Sequence, residues 1–126
     1  MSAGRFSIAA LVGKGEFAEL ARRLREFARE RDWEQFHTPR NLAASVAIEA
    51  AELQEVFQWL TDDQSATLTA EQLGAARQEL ADVAIYLIRL ADRLDVDLVT
   101  AINQKIEDNT RRYPADLVRG HSEKRV

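Results

Sequence analysis

The feature that most constrains this chain is the spacing of apolar residues in the segment NLAASVAIEAAELQEVFQWL, residues 41–60. Its apolar side chains recur at intervals of three, four or seven, at Leu42, Val46, Leu53, Val56 and Leu60. Such spacing is typical of the buried face of an α-helix. The gap of seven is filled by Glu49, so a carboxylate occupies a position that the period reserves for the core. Because a lone buried carboxylate is unfavourable, we expect Glu49 to be paired or to bind a metal ion.

Three further segments carry the same helical period. The four predicted helices cover roughly residues 16–31, 39–60, 70–94 and 96–112. The middle of the third, LADVAIYLIRLA, is apolar on nearly every side and is expected to be buried centrally. Four amphipathic helices with short connections predict an all-α fold, a four-helix bundle. We expect one domain over residues 16–116, with tails over 1–15 and 117–126.

Residues with capping or helix-breaking chemistry set these boundaries. They are Thr38 with Pro39 for the second helix, Thr69 with Gln72 as a capping box for the third, Asp95 as the cap of the fourth, and Tyr113-Pro114 at its end. The segment TDDQSATL between the second and third helices is expected to be a polar loop.

Composition excludes several classes of function. The 126 residues carry a net charge of −4 with both signs interspersed, which argues against binding a nucleic-acid polymer. No apolar run is long enough to span a membrane, and FSIAALV near the start is a poor signal peptide. The absence of cysteine excludes disulfides and thiolate metal sites, and we expect a cytoplasmic protein.

Two acidic pairs with a spacing of three are the candidates for a metal site. Glu49 and Glu52 lie on one face of the second helix, and Glu79 and Asp82 repeat the spacing on the third. Such pairs most often form a solvated surface, but Glu49 lies within an apolar stripe. If the two helices are antiparallel neighbours, the four carboxylates converge, and they then require a cation. An all-oxygen set suits Mg²⁺ or Mn²⁺.

The fourth helix and the aromatic residues suggest a substrate. The core line of Leu98 and Ile102 continues as Lys105, Asn109 and Arg112. Basic residues suit any helix C-terminus, but beside a cation site they also suit phosphates.

Aromatic side chains gather between the first two helices and at the end of the second. Trp33, Phe36, His37 and Trp59 are either core plugs or the walls of a flat slot for a base, with His37 as its polar reader.

Taken together, these residues resemble the all-α nucleoside triphosphate pyrophosphohydrolases of the MazG-like superfamily. The resemblance is carried by both acidic pairs, by the Lys-Asn-Arg series of the fourth helix, and by the blocks RDWEQFHTPRN, EVFQWL, ELADVAIYL and NTRRYP, which are similar to the dCTP pyrophosphatase branch. It spans roughly residues 16–116.

The resemblance implies Mg²⁺-dependent cleavage of dCTP or a modified dCTP to the monophosphate and pyrophosphate, with Mn²⁺ as a possible substitute. The implied metal ligands are Glu49, Glu52, Glu79 and Asp82, and either glutamate of the first pair would take the proton of the attacking water. The implied base and sugar pocket is lined by Trp33, His37, Trp59 and Tyr86. The implied phosphate contacts are Lys105, Asn109 and Arg112. The resemblance also implies a homodimer or homotetramer with sites at subunit contacts.

The chain departs from the family pattern at two positions, of which Ala51 should only tighten its turn of helix whereas Leu24 bears on base selectivity. Ala51 stands where many relatives have glycine, and Leu24 stands where the vertebrate enzymes have a histidine. A broad-specificity or dUTP-directed hydrolase is therefore a second interpretation. A third is a non-catalytic helical interaction module that binds a structural ion.

Overall fold

The protein is all-helical over the residues that its computed structural model describes, which are the backbone of 8–123 and the side chains of 15–123. Within that range no strand is present. The helices are α1 (Ile8–Glu30), α2 (Pro39–Phe57), α3 (Asp62–Ala66), α4 (Ala70–Arg93), α5 (Leu98–Arg112) and α6 (Ala115–Val118). The predicted all-α class is confirmed. Residues 1–7 and 124–126 of the predicted tails lie outside the described residues.

Two of the predicted helix caps agree with the structure. Thr38 Oγ1 accepts a hydrogen bond from the backbone N of Asn41 (3.1 Å), with Pro39 in the first turn of α2. At the start of α4, Thr69 Oγ1 accepts from Gln72 N (3.1 Å) and Gln72 Oε1 accepts from Thr69 N (2.9 Å). These bonds satisfy backbone donors that have no partner inside the helix.

The predicted polar loop TDDQSATL is wrong in part, because it contains α3. Thr61 and Gln64 form a second capping box, with Gln64 N donating to Thr61 Oγ1 (3.2 Å) and Thr61 N donating to Gln64 Oε1 (3.0 Å). The same T-x-x-Q pattern therefore begins two successive helices.

Asp95 was also assigned the wrong role, since Asp97 is the cap of α5 and accepts from Thr100 N (3.2 Å). Asp95 has a φ of +56° and ends α4 instead. Val96 N donates to Ala91 O (2.8 Å) and Asp95 N donates to Asp92 O (3.1 Å), which is the Schellman arrangement. An aspartate that closes one helix in the left-handed conformation is not in the extended geometry of an N-cap.

The long helices pack in the order α2–α4–α1–α5, with α4 between α2 and α1. The buried apolar side chains among the described residues are few: Ala28, Leu42, Ala76 and Ile88. The prediction that the middle of α4 is buried on nearly every side is wrong for the single chain. Leu80 is 57% exposed and Leu87 is 42% exposed, because α1 and α2 leave one face of α4 uncovered. In the described part of the chain, no helix is both long and apolar enough to cross a membrane.

An ion-pair network, buried only at Arg89, ties α1 to α4. Arg25 donates from Nε and Nη2 to the two carboxylate oxygens of Asp92 (3.0 and 2.8 Å). Arg89 Nη1 donates to Asp92 Oδ2 (3.2 Å), and Arg89 is only 2% exposed. The hydrogen bond from Arg25, together with the charges of the nearby arginines, lowers the pKa of Asp92.

We expect Asp92→Asn to lower the free energy of unfolding by about 2–3 kcal/mol, because it removes the counter-charge of a buried guanidinium. Urea denaturation followed by circular dichroism measures the change. Asp95→Asn is the matched control, since Asp95 is exposed and asparagine tolerates its left-handed backbone. Equal stability of the two variants would contradict a structural role for the network.

Candidate active site

Three of the predicted metal ligands converge where α2 meets α4. One carboxylate oxygen from each of Glu49, Glu79 and Asp82 lies within 4.8 Å of the other two. Glu49 reaches this position because it occupies the apolar stripe of α2, which faces α4. Glu79 and Asp82 lie three residues apart and therefore share one face of α4.

The fourth predicted ligand, Glu52, lies beside this cluster and is exposed. Its hydrogen bond with Glu49 is the largest of the influences that raise the pKa of Glu49 to about 7. Burial of the Glu49 carboxyl and the negative charges of Glu52, Asp82 and Glu79 act in the same direction. The pKa of Glu79 is also raised, chiefly by burial and then by the charges of Glu52 and Asp82.

Two carboxylate oxygens of this cluster are buried without a partner in the described part of the chain, which indicates that the cluster binds a cation. Glu49 Oε2 and Glu79 Oε2 are buried and have no hydrogen-bond partner among the described residues. A buried oxygen is rarely left without a partner, and an ionised carboxylate can only accept. A cation or a shared proton satisfies it. Because every donor atom is a carboxylate oxygen, the set fits Mg²⁺ or Mn²⁺ better than zinc.

A cavity of about 290 Å³ lies next to the acidic cluster and shares Asp82 with it. Three predicted pocket residues line this aromatic cavity, and they are Trp33, His37 and Tyr86. Leu24, Phe27, Ile85 and Arg89 complete its wall. The rings of Trp33 and His37 meet edge to face with centroids 6.2 Å apart. Apolar and aromatic walls with a few polar groups are typical of a small-molecule site.

The structure does not bring the other predicted substrate residues to this cavity. Phe36 is 58% exposed and Trp59 is 86% exposed, and neither is among the residues that line it. The same holds for Lys105, Asn109 and Arg112. These three lie on α5, which packs against α1, whereas the acidic cluster lies between α2 and α4.

Arg89 is the residue of this region that sequence reasoning missed. It is buried, it lines the aromatic cavity, and its Nη2 has no hydrogen-bond partner among the described residues. A signal was present, because Arg89 is one of only two charged residues in the apolar run LADVAIYLIRLA, the other being Asp82. A charge in such a run is expected to be either exposed or functional.

The described residues are therefore all-helical, with a cluster of carboxylates beside an aromatic cavity, and sequence comparison identifies the family. The profile of the MazG-like family matches residues 44–125. The chain belongs to the MazG-like family.

Its relatives include enzymes that act on a nucleotide. The chain is 45% identical over 123 residues to dCTP pyrophosphatase 1 of Homo sapiens, covering 96% of this chain and 71% of the human protein. It is 47% identical over 97 residues to dCTP pyrophosphatase 1 of Bos taurus and of Mus musculus, covering 75% of this chain but only 57% of each of those proteins.

A solved structure resembles most of this helical arrangement. A pyrophosphatase from Archaeoglobus fulgidus superposes with a TM-score of 0.74 at 42% identity, covering 79% of this chain and 93% of the archaeal chain. The fold described above is thus shared with a pyrophosphatase of similar sequence.

The raised pKa of Glu49 predicts a pH-dependent stability. Since its folded value of about 7 exceeds its usual 4.5, the contribution of this carboxyl to stability is present at low pH and is lost as the pH rises through 7. We expect the melting temperature of the metal-free protein to fall between pH 6 and pH 8, and Mg²⁺ to raise it more at pH 8. Differential scanning calorimetry measures both effects.

Glu49→Gln is the control for this prediction, because the amide does not titrate. It should remove most of the pH dependence of the Mg²⁺ effect. The same pH dependence in wild type and variant would contradict the assignment to Glu49.

Proposed function

We propose that this chain is a Mg²⁺-dependent pyrophosphohydrolase that converts dCTP, or a modified dCTP, to the monophosphate and pyrophosphate. The observation that carries the proposal is that Asp82 belongs both to the acidic cluster and to the aromatic cavity. A cation held there lies next to a space of the size and chemistry that suit a nucleoside. The dCTP pyrophosphatases similar to most of this chain support the choice of substrate.

Glu49, Glu79 and Asp82 would hold the cation, with Glu52 as the fourth carboxylate. When bound, Mg²⁺ neutralises triphosphate charge and lowers the pKa of a bound water. Mn²⁺ fits the same oxygen ligands.

The chain itself supplies a base and the binding surfaces. Glu52 is exposed beside the acidic cluster, and whichever of Glu49 and Glu52 is not fully engaged with the cation would take the proton of the attacking water. Trp33 and Tyr86 would hold the base and sugar between their rings, and His37 would read a polar edge of the base. Since the chain has no cysteine, direct attack by water on phosphorus is simpler than a route through a cysteinyl phosphate.

A second copy of the chain would complete the site. The chain exposes 9868 Å², whereas a compact monomer of 14.3 kDa exposes about 6,800 Å². The uncovered face of α4 carries Leu73, Leu80, Leu87 and Leu94, each more than 40% exposed. An apolar row of this length suits a stable interface between copies. In a homodimer or homotetramer, Trp59 and the Lys105, Asn109 and Arg112 series would meet the triphosphate at a subunit contact.

The proposed reaction predicts its products. Incubation with dCTP and Mg²⁺ should yield dCMP and pyrophosphate, and EDTA should stop the reaction. Ion-exchange separation of products from dCTP, dUTP, dTTP and dATP measures selectivity. Comparable rates for several nucleotides would identify a broad-specificity hydrolase instead. No product from any nucleotide would favour the non-catalytic interaction module.

Substitution of Glu49 tests the acidic cluster. Glu49→Gln should reduce kcat by at least about a hundredfold while the helical circular dichroism spectrum is retained, because it removes one charge from the cation site. Glu55→Gln is the matched control, since Glu55 is exposed on the same helix. Activity of Glu49→Gln equal to that of the control would contradict the role of Glu49 in the cation site.

The molecular mass of the protein in solution tests whether copies of the chain assemble. Light scattering coupled to size exclusion should give at least twice the 14.3 kDa of one chain. Leu73→Lys, on the uncovered face of α4, should weaken the assembly because it places a charge in an apolar interface. Glu71→Lys, exposed on the same helix, should not. A wild-type protein with the mass of one chain would contradict assembly.

A further inference from the structure

A continuous row of hydrogen bonds runs from α1 to the ring of His37. Arg25 and Arg89 both donate to Asp92, as described above, and Arg89 Nε donates to His37 Nδ1 at 3.3 Å. The row joins α1, α4 and the connection between α1 and α2. It ends on the wall of the aromatic cavity, which both His37 and Arg89 line.

The direction of the last bond fixes the proton on His37. A guanidinium has donors only, so Nδ1 must accept with its lone pair. A neutral imidazole then carries its proton on Nε2. Burial and the positive charge of Arg89 lower the pKa of His37, and both therefore favour the neutral ring.

The connection that carries His37 is held in place without this bond. Trp33 N donates to Ala28 O (2.8 Å), and Asn41 Nδ2 donates to Phe36 O (2.9 Å). His37 N donates to Trp33 O (3.1 Å). Backbone position is thus secured by other contacts, and what Arg89 adds is control of the His37 ring.

A second observation points to a ligand with hydrogen-bond acceptors. Arg89 is 2% exposed and lines the cavity, yet its Nη2 lacks a partner among the described residues. A buried charged donor of this kind strongly favours an acceptor. An acceptor of a bound base can satisfy it in the cavity.

We propose that Arg89 is a positioning residue for substrate selection: it holds His37 as the Nε2–H tautomer, so that the cavity presents a fixed donor to an acceptor edge of the base. This inference rests on the proposed function. Cytosine offers acceptors at N3 and O2, whereas N3 of uracil and of thymine carries a proton. A ring free to change tautomer would offer a donor or an acceptor and would discriminate less.

The tautomer can be measured directly in the intact protein by ¹⁵N NMR of the histidine rings at pH 7.5. The chain has two histidines, so His121→Gln leaves the signals of His37 alone. The expected pattern is a protonated Nε2 and an unprotonated Nδ1. A ring protonated on Nδ1, or on both nitrogens, would overturn the proposal, whether or not any Arg89 variant folds.

Kinetics then separate positioning from support of the fold. Arg89→Met keeps the length of the side chain but removes the donor, and should raise KM for dCTP and lower the dCTP-to-dUTP ratio of kcat/KM by about tenfold, with a smaller effect on kcat. Arg89→Lys, which retains a charged donor, should restore part of that ratio. Arg93→Met is the matched control, because it removes an exposed positive charge from α4 but makes no bond to His37.

The outcomes distinguish the positioning role of Arg89 from the proposed function of the protein. A folded Arg89→Met protein with wild-type selectivity and an unchanged His37 tautomer would overturn the role of Arg89. Wild-type protein without turnover of any nucleotide would overturn the proposed function, and the positioning role with it. Loss of selectivity in Arg93→Met as large as in Arg89→Met would assign the effect to charge rather than to the bond.

Discussion

Repulsion among the carboxylates at the α2–α4 contact is the constraint on which the rest of this structure depends. Among the described residues this contact is the most extensive between two helices, yet it contains one carboxylate oxygen each from Glu49, Glu79 and Asp82 within 4.8 Å of the other two. Ionised together without a cation they would repel one another, and the pKa of Glu49 is raised by Glu52 and by burial, with the charges of Asp82 and Glu79 adding to these effects. A cation converts the same groups into a link between α2 and α4. If a cation binds there, its binding free energy should add to the packing of α2 against α4.

Different helices of the single chain supply different parts of the candidate site. α2 and α4 supply the acidic cluster, while α1 and the connection that follows it supply one half of the aromatic cavity and α4 supplies the other half. α5 carries the basic and amide side chains but packs on α1, away from the acidic cluster. The apolar face that α4 leaves open fits the same pattern. A chain that exposes both a row of leucines and five of its eight candidate substrate residues is suited to function as an assembly.

Much of this structure could be predicted from hydrophobic periodicity and helix-capping residues, and the predictions that were wrong have physical causes. Glu49 could be found because a carboxylate interrupts an apolar stripe, and Thr38 and Thr69 could be found because side-chain oxygens satisfy free backbone donors. Asp95 could not be assigned correctly, since aspartate both caps helices and tolerates the left-handed conformation that ends them. The exposure of one face of α4 could not be predicted either, because an apolar face has the same sequence pattern whether it packs inside one chain or between two. Arg89 was missed for a related reason: spacing places a residue on a face but does not say which side chain it meets.

The row of hydrogen bonds from Arg25 to His37, which is buried at Arg89, is better explained by function than by stability. Well-packed apolar side chains in place of a buried ion pair often leave a protein equally stable or more stable, so a guanidinium that is 2% exposed is weak support for a purely structural role. The row also leaves one of its own hydrogen-bond donors unpaired, since Arg89 Nη2 has no partner among the described residues. It ends at the one titratable ring in the wall of the aromatic cavity whose two nitrogens differ in what they offer a ligand. An arginine held by Asp92 on one side and bonded to His37 on the other turns a ring with two tautomers into a ring with one.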